Sequence, residues 1–220
     1  MGSIEAVILD VDGTVATCPY DFDGMRAEVR KAAARWGLDV DELGVRGIIE
    51  QIEAAARRLG ENGRRFRDEA EGAVRKIEIE TARTAELLPG AAEALTALRK
   101  AGFGIALITR NCRPAAEIVL RDLRAYEVLL TRDDVPNSKP DPDHVNRALE
   151  ALGRPAKRAA VVGDHGYDMQ AGKAAGVSVC IGVRTGSSSD ASLLEAGADV
   201  VIDSVADLPL CLTMCREQPQ

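Results

Sequence analysis

Residues 4–9, Ile-Glu-Ala-Val-Ile-Leu, make a short apolar run that stops at Asp10. Such a run, apolar on both alternating faces, predicts a buried strand. Comparable runs predict strands at 104–109, 159–163, 177–181 and 199–202, with a weaker one at 127–131. Between them the apolar positions recur at helical spacing, near 91–101, 113–124, 142–153 and 167–175. Strand and helix therefore alternate, which predicts an α/β domain with a mostly parallel sheet. Ligands of such sheets sit at the carboxyl ends of the strands.

Residues 18–86 break this rhythm. Met25, Val29, Ala32, Ala33 and Trp36 form one amphipathic stripe. Ile48, Ile52, Ala55, Ala56 and Leu59 form a second, and Ala70, Ala73, Val74 and Ile77 a third. No strand pattern lies among them, and Gly37, Gly44, Gly60 and Gly63 punctuate them. The reading is a small all-helical domain, 18–86, inserted after the first strand of a core made of 1–17 and 87–220. Leu88-Pro89-Gly90 marks the return to the core.

Composition narrows the class. A chain of 220 residues can bury one sizeable core with a small second domain. Aromatics are 3%, so Leu, Val, Ile and Ala must fill that core. A formal net charge of −7 speaks against non-specific nucleic-acid binding, but not against a small anionic substrate. The five cysteines, Cys18, Cys112, Cys180, Cys211 and Cys215, form neither a disulfide framework nor a zinc set. Free thiols fit a reduced compartment. With no leader pattern and no apolar run of about 18 residues, the expectation is a cytoplasmic protein without a membrane partner.

Chemistry gathers at the predicted strand ends. Asp10 and Asp12 stand at i and i+2, on one face of an extended chain, and Gly13 lets the backbone turn away. An Asp-rich turn is the ordinary alternative. Thr109 ends another strand and leads into Arg110-Asn111. Lys139 lies in Asn137-Ser138-Lys139-Pro140-Asp141-Pro142, and Gly163-Asp164 ends a further strand with Asp168 four residues on. Singly, Thr109 reads as a strand-end hydroxyl, Lys139 as a loop lysine and Asp164 as a helix cap. Jointly they place four acids, a hydroxyl and an amine on one sheet edge. The acids repel and call for a cation, and hard oxygen donors without His or Cys suit magnesium. A phosphate could then approach, with Lys139 and Thr109 binding its oxygens. One carboxylate could attack phosphorus while another protonates the leaving oxygen.

On these residues the chain resembles the haloacid dehalogenase superfamily. Leu9-Asp10-Val11-Asp12-Gly13-Thr14 is similar to its first motif, Thr109 to its second, Lys139 to its third, and Gly163-Asp164 through Asp168 to its fourth. The resemblance covers the core; the insert is similar to the family's helical cap in position, length and helicity. It implies a Rossmann-like sheet with helices on both faces, and a magnesium-dependent, phosphoglycolate phosphatase-like enzyme acting on a small phosphorylated metabolite. By the same resemblance Asp10 is the nucleophile that forms an aspartyl-phosphate, and Asp12 is the acid and base. Thr109 and Lys139 hold the phosphoryl group. Asp10, the Asp12 carbonyl and Asp164 hold the metal, with Asp168 as ligand or support. The second acid, Asp12, marks a phosphatase or phosphomutase rather than a dehalogenase. A sugar phosphomutase, or a catalytically silent binding relative, is the alternative.

Arg110 or Asn111 is expected to touch substrate, with no choice between them. Arg46, Arg64, Arg65 and Arg67 in the insert have an ordinary reading as solvated charges. Tyr20 and Phe22 either shape an entrance or pack the linker. His165 follows Asp164 and could touch the site, whereas His144 reads as a helix residue only.

Overall fold

The computed structural model describes residues 3–216, with side chains through Thr213. It divides into two compact units, Pro19–Thr84 and the remainder of the chain on either side.

The larger unit is built on six parallel strands: β1 (Ala6–Asp10), β4 (Gly104–Ile108), β5 (Val128–Leu130), β6 (Ala159–Gly163), β7 (Val179–Val183) and β8 (Val200–Ile202). Their order is β5-β4-β1-β6-β7-β8. Every residue of β1, β4 and β6 is buried, as a parallel sheet covered on both faces requires. Helices α4 (Ala91–Lys100), α5 (Arg113–Val119), α6 (Asp143–Leu152), α7 (Gly166–Ala175), α8 (Asp190–Glu195) and α9 (Leu208–Arg216) supply that cover. On one face Ala6, Ile8, Ala106, Ile108 and Val161 pack with Val145, Leu149, Met169 and Leu193 from α6, α7 and α8. The alternate residues Val7, Leu9, Ile105 and Leu107 are equally buried and point to the other face. A two-stranded antiparallel pair, β2 (Ala16–Thr17) and β3 (Glu86–Leu87), stands where the chain leaves and re-enters this unit.

Two elements differ from the periodicity by two residues or more. The seventh strand starts at Val179 rather than Val177 because Gly176, at φ 72°, ends α7, and Val177 N–H still bonds back to Gly172 O. Helix α5 ends at Val119 instead of residue 124. Leu120 and Leu123 remain buried through a turn, so their spacing reports burial and not helix. The short helices α8 and α9 carry no stripe long enough to read from the chain.

The smaller unit contains α1 (Phe22–Arg35), α2 (Ile48–Arg58) and α3 (Gly63–Ala82). Met25, Val29, Ala32, Ala33, Ile52, Ala55, Ala56, Phe66, Ala70 and Val74 make its core, with Trp36, Ile48, Leu59 and Ile77 packed against it. Tyr20 packs there too, whereas Phe22 is 53% exposed. Among the described residues no helix is long and apolar enough to cross a membrane. Among the described residues Cys18, Cys112, Cys180 and Cys211 form no disulfide; the side chain of Cys215 lies outside the described residues.

Candidate functional site

The strand order puts β1 between β4 and β6, so Asp10, the residue after β4 and the residue after β6 emerge side by side. Beyond β1 the chain turns at once. The amides of Val15 and Ala16 both donate to Val11 O, at 2.8 and 2.9 Å. Gly13 adopts φ 84°, a left-handed conformation that any side chain would strain.

Asp10, Asp164 and Asp168 are all buried, and each offers a carboxylate oxygen within 4.8 Å of the others. Lys139, 2% exposed, reaches into this group: its ammonium donates to Asp10 Oδ1, and to Asp168 Oδ1 at 2.6 Å. Burial opposes its charge, but Asp10 and Asp168 more than offset this and hold the lysine protonated. Asp10 is pushed well above the usual carboxylate range, foremost by burial and then by Asp168, Asp164 and Asp12, against the pull of Lys139. Asp164 is raised by burial and by Asp168, against the opposing effects of Ser187 N–H and Lys139. The site thus holds more negative charge than its one lysine neutralises, in a set of hard oxygen donors. These three carboxylates can share a divalent cation.

Asp12 meets a different pair of donors. Its Oδ2 accepts from Thr109 Oγ1 at 3.0 Å and from Asn111 Nδ2 at 2.6 Å. Thr109 is 1% exposed and anchored by its amide to Leu130 O. Of the two residues left undecided on the chain, Asn111 contacts Asp12, while the Arg110 guanidinium stacks 5.0 Å from the Tyr167 ring centroid. Arg132, after β5, donates to Arg110 O at 3.0 Å and so ties the two loops together.

Asp164 is not a helix cap. The N-cap of α7 is His165, whose Nδ1 accepts from Tyr167 N–H at 3.2 Å while Asp168 Oδ2 accepts from His165 N–H at 3.1 Å. Asp168 therefore divides its two oxygens between the lysine and the helix start. His144 is a wholly buried α6 residue whose Nε2 meets Leu130 O at 3.1 Å.

The arginines of the smaller unit find local partners or solvent. Arg67 makes a two-pronged pair with Glu53, both bonds 2.7 Å, and Arg65 lies 5.9 Å from the Trp36 ring centroid. Arg46 and Arg64 are exposed.

One contributing segment escaped the sequence reading. After β7, Thr185 Oγ1 donates to Gly13 O at 2.6 Å and Ser187 N–H to Asp164 Oδ2 at 3.0 Å. Its sequence signal was its position, a glycine-containing turn at another carboxyl strand end.

The profile of the haloacid dehalogenase-like hydrolases matches residues 4–176. A plasmid-encoded phosphoglycolate phosphatase of Cupriavidus necator is 32% identical over 97% of this chain and 95% of its own length. The pyrophosphatase PpaX of Bacillus pumilus is 32% identical over 53% of this chain and 55% of its own. Among solved structures, a hydrolase from Pseudomonas syringae superposes with a TM-score of 0.68 at 25% identity, covering 96% of this chain and 98% of that one. A hydrolase of the same family from Deinococcus radiodurans, solved with bound phosphate and sodium, gives 0.65 at 26% identity and 98% of both chains. The chain belongs to the haloacid dehalogenase-like hydrolases.

Proposed function

We propose that this hydrolase is a magnesium-dependent phosphatase that cleaves a small phosphomonoester, of the phosphoglycolate or sugar-phosphate class, through an aspartyl-phosphate on Asp10. The observation that carries the reading is the division of the acids. Asp10 sits with Asp164, Asp168 and Lys139, whereas Asp12 is held separately by Thr109 and Asn111. One acid thus stands with the lysine and two further carboxylates while the other is oriented by different partners, which supports separate roles as nucleophile and proton carrier. The near full-length similarity to a phosphoglycolate phosphatase supports the substrate class.

Asp10 attacks phosphorus with a carboxylate oxygen, and the bond from phosphorus to the leaving oxygen breaks. Asp12, as the neutral acid, gives that oxygen its proton. Asp12, now a carboxylate, takes a proton from water; the water oxygen attacks phosphorus, and phosphate leaves Asp10. Lys139 and Thr109 bind phosphoryl oxygens during both steps. Asp10, the Asp12 carbonyl and Asp164 would hold magnesium, which would supply positive charge against which a phosphate dianion could approach the carboxylates. The engagement of both Asp168 oxygens favours a supporting role for that residue.

The test is a panel of phosphorylated compounds (2-phosphoglycolate, sugar phosphates and pyrophosphate) assayed with magnesium and with chelator, alongside Asp10→Asn. Expected is magnesium-dependent release of phosphate that Asp10→Asn abolishes. Turnover surviving Asp10→Asn would overturn the nucleophile, and phosphate release needing a sugar bisphosphate primer would indicate a mutase.

A further inference from the structure

The loop after β7 bonds to both segments that carry the site's acids. Thr185 holds the Gly13 carbonyl, in the turn after β1, and Ser187 N–H holds Asp164, at the end of β6. Between those two bonds stands Gly186. A Cβ at Gly186 would fall on the Asp164 carboxylate. A Cβ at Gly13 would lie 2.8 Å from Asp164 Oδ2 and Cγ. Two glycine backbones, from separate loops, therefore pack directly on one carboxylate.

The loop is anchored at both ends. Arg184, just before it, donates to Asp190 through Nε and Nη2 and to Asp203 through Nη1, while its amide bonds to Ile202 O at 3.1 Å. At the far end Ser189 caps α8, its Oγ accepting from Ser192 N–H at 3.2 Å. A segment so pinned has few conformations left, and its two bonds restrict Asp164 as well.

Restriction of this kind matters for a cation ligand. Magnesium demands near-octahedral placement of its oxygens, and outer hydrogen bonds that orient a ligand strengthen the site. We propose that Thr185, Gly186 and the Ser187 amide act as a positioning strap. The strap fixes Asp164 against the turn that carries Asp10 and Asp12, and thereby sets the site's affinity for a divalent cation. The proposal rests on the reading of Asp164 as a cation ligand. It uses the hydroxyl of Thr185 and the missing side chain of Gly186, but only the backbone of Ser187.

The experiment is titration of the whole protein with manganese, with free ion followed by electron paramagnetic resonance and folding checked by circular dichroism. Gly186→Ala is expected to weaken binding about tenfold or more, and Thr185→Val by about tenfold. Thr185→Ser, which keeps the hydroxyl, and Ser187→Ala, which keeps the amide, should bind as the unaltered protein does. Unchanged affinity in folded Gly186→Ala and in Thr185→Val would overturn the strap. If Gly186→Ala does not fold, the Thr185 pair decides: loss in Val with rescue in Ser supports the strap, and equal binding overturns it. Asp164→Asn separates the two levels. Binding lost in Asp164→Asn but intact in the strap variants refutes the strap alone. Binding untouched by Asp164→Asn refutes the cation reading and the strap with it.

Discussion

Lys139 donates to Asp168 Oδ1 at 2.6 Å with both side chains almost wholly buried, and the same ammonium holds Asp10. Deleting that charge leaves two buried carboxylates uncompensated. Lys139→Met is therefore expected to destabilise the metal-free protein by about 3–5 kcal/mol, the usual cost of orphaning one side of a buried pair. Urea unfolding in chelator measures it; an unchanged midpoint would show that the acids take up protons instead.

The two-step role proposed for Asp12 predicts a split phenotype. Asp12→Asn should lower steady-state turnover about 10²–10⁴-fold. With 4-nitrophenyl phosphate, whose leaving group needs no proton, the first step survives and the second does not. A stoichiometric burst of nitrophenolate with a phosphorylated protein by mass spectrometry is the expected result. Slow turnover without a burst would show that the first step limits the variant and would overturn the assignment of the second step to Asp12.

The raised Asp164 predicts a gain in stability when its charge is removed. Its folded-state value exceeds its unfolded one, because burial and Asp168 disfavour the anion. Its favourable contribution is therefore complete below the unfolded value and is lost as pH rises through the folded value. At pH 7 without metal the anion is a burden. Asp164→Asn should raise the melting temperature there, by about 2–4 °C for each kcal/mol relieved. Magnesium should stabilise the unaltered protein more than the variant. Calorimetry with and without magnesium tests both signs.

His144 predicts the acid limb of stability. Burial, then the Lys139 charge, lowers it to about 4, against an ordinary value of 6.5. The neutral ring is the one the fold accepts, so stability is whole above pH ~6.5 and falls as pH drops toward ~4. His144→Gln, which can still donate to Leu130 O, should flatten the melting temperature between pH 7 and 5. Parallel slopes for variant and parent would place the acid sensitivity elsewhere.

Asp10, Asp12, Thr109 and Asp164 were visible on the chain because they stand at or just past the stop of an apolar run, which is a local signal, whereas Lys139 had only its place in Asn137-Ser138-Lys139-Pro140. The fold class was visible for the same reason: strands buried on both faces are written as uninterrupted apolar runs, and the family motifs lie at their ends. The three stripes of the inserted segment likewise correspond to α1, α2 and α3, since a helix must turn one face to its neighbours.

Tertiary structure alone decided which of these residues meet. Lys139 is 129 residues from Asp10, and Thr109 is 97 from Asp12. No spacing rule states that the lysine takes Asp10 and Asp168 while Asp12 goes to Thr109 and Asn111; the strand order β4-β1-β6 does. The cap of α7 is His165, and Asp164 is held instead by Ser187, across 23 residues. Gly186 shows the limit most plainly. Alone it is one more turn glycine, and only the approach of a distant carboxylate gives its missing side chain a physical reason. Apolar patterning is set by each residue's own preference for burial, whereas a polar contact depends on where two strands are brought side by side.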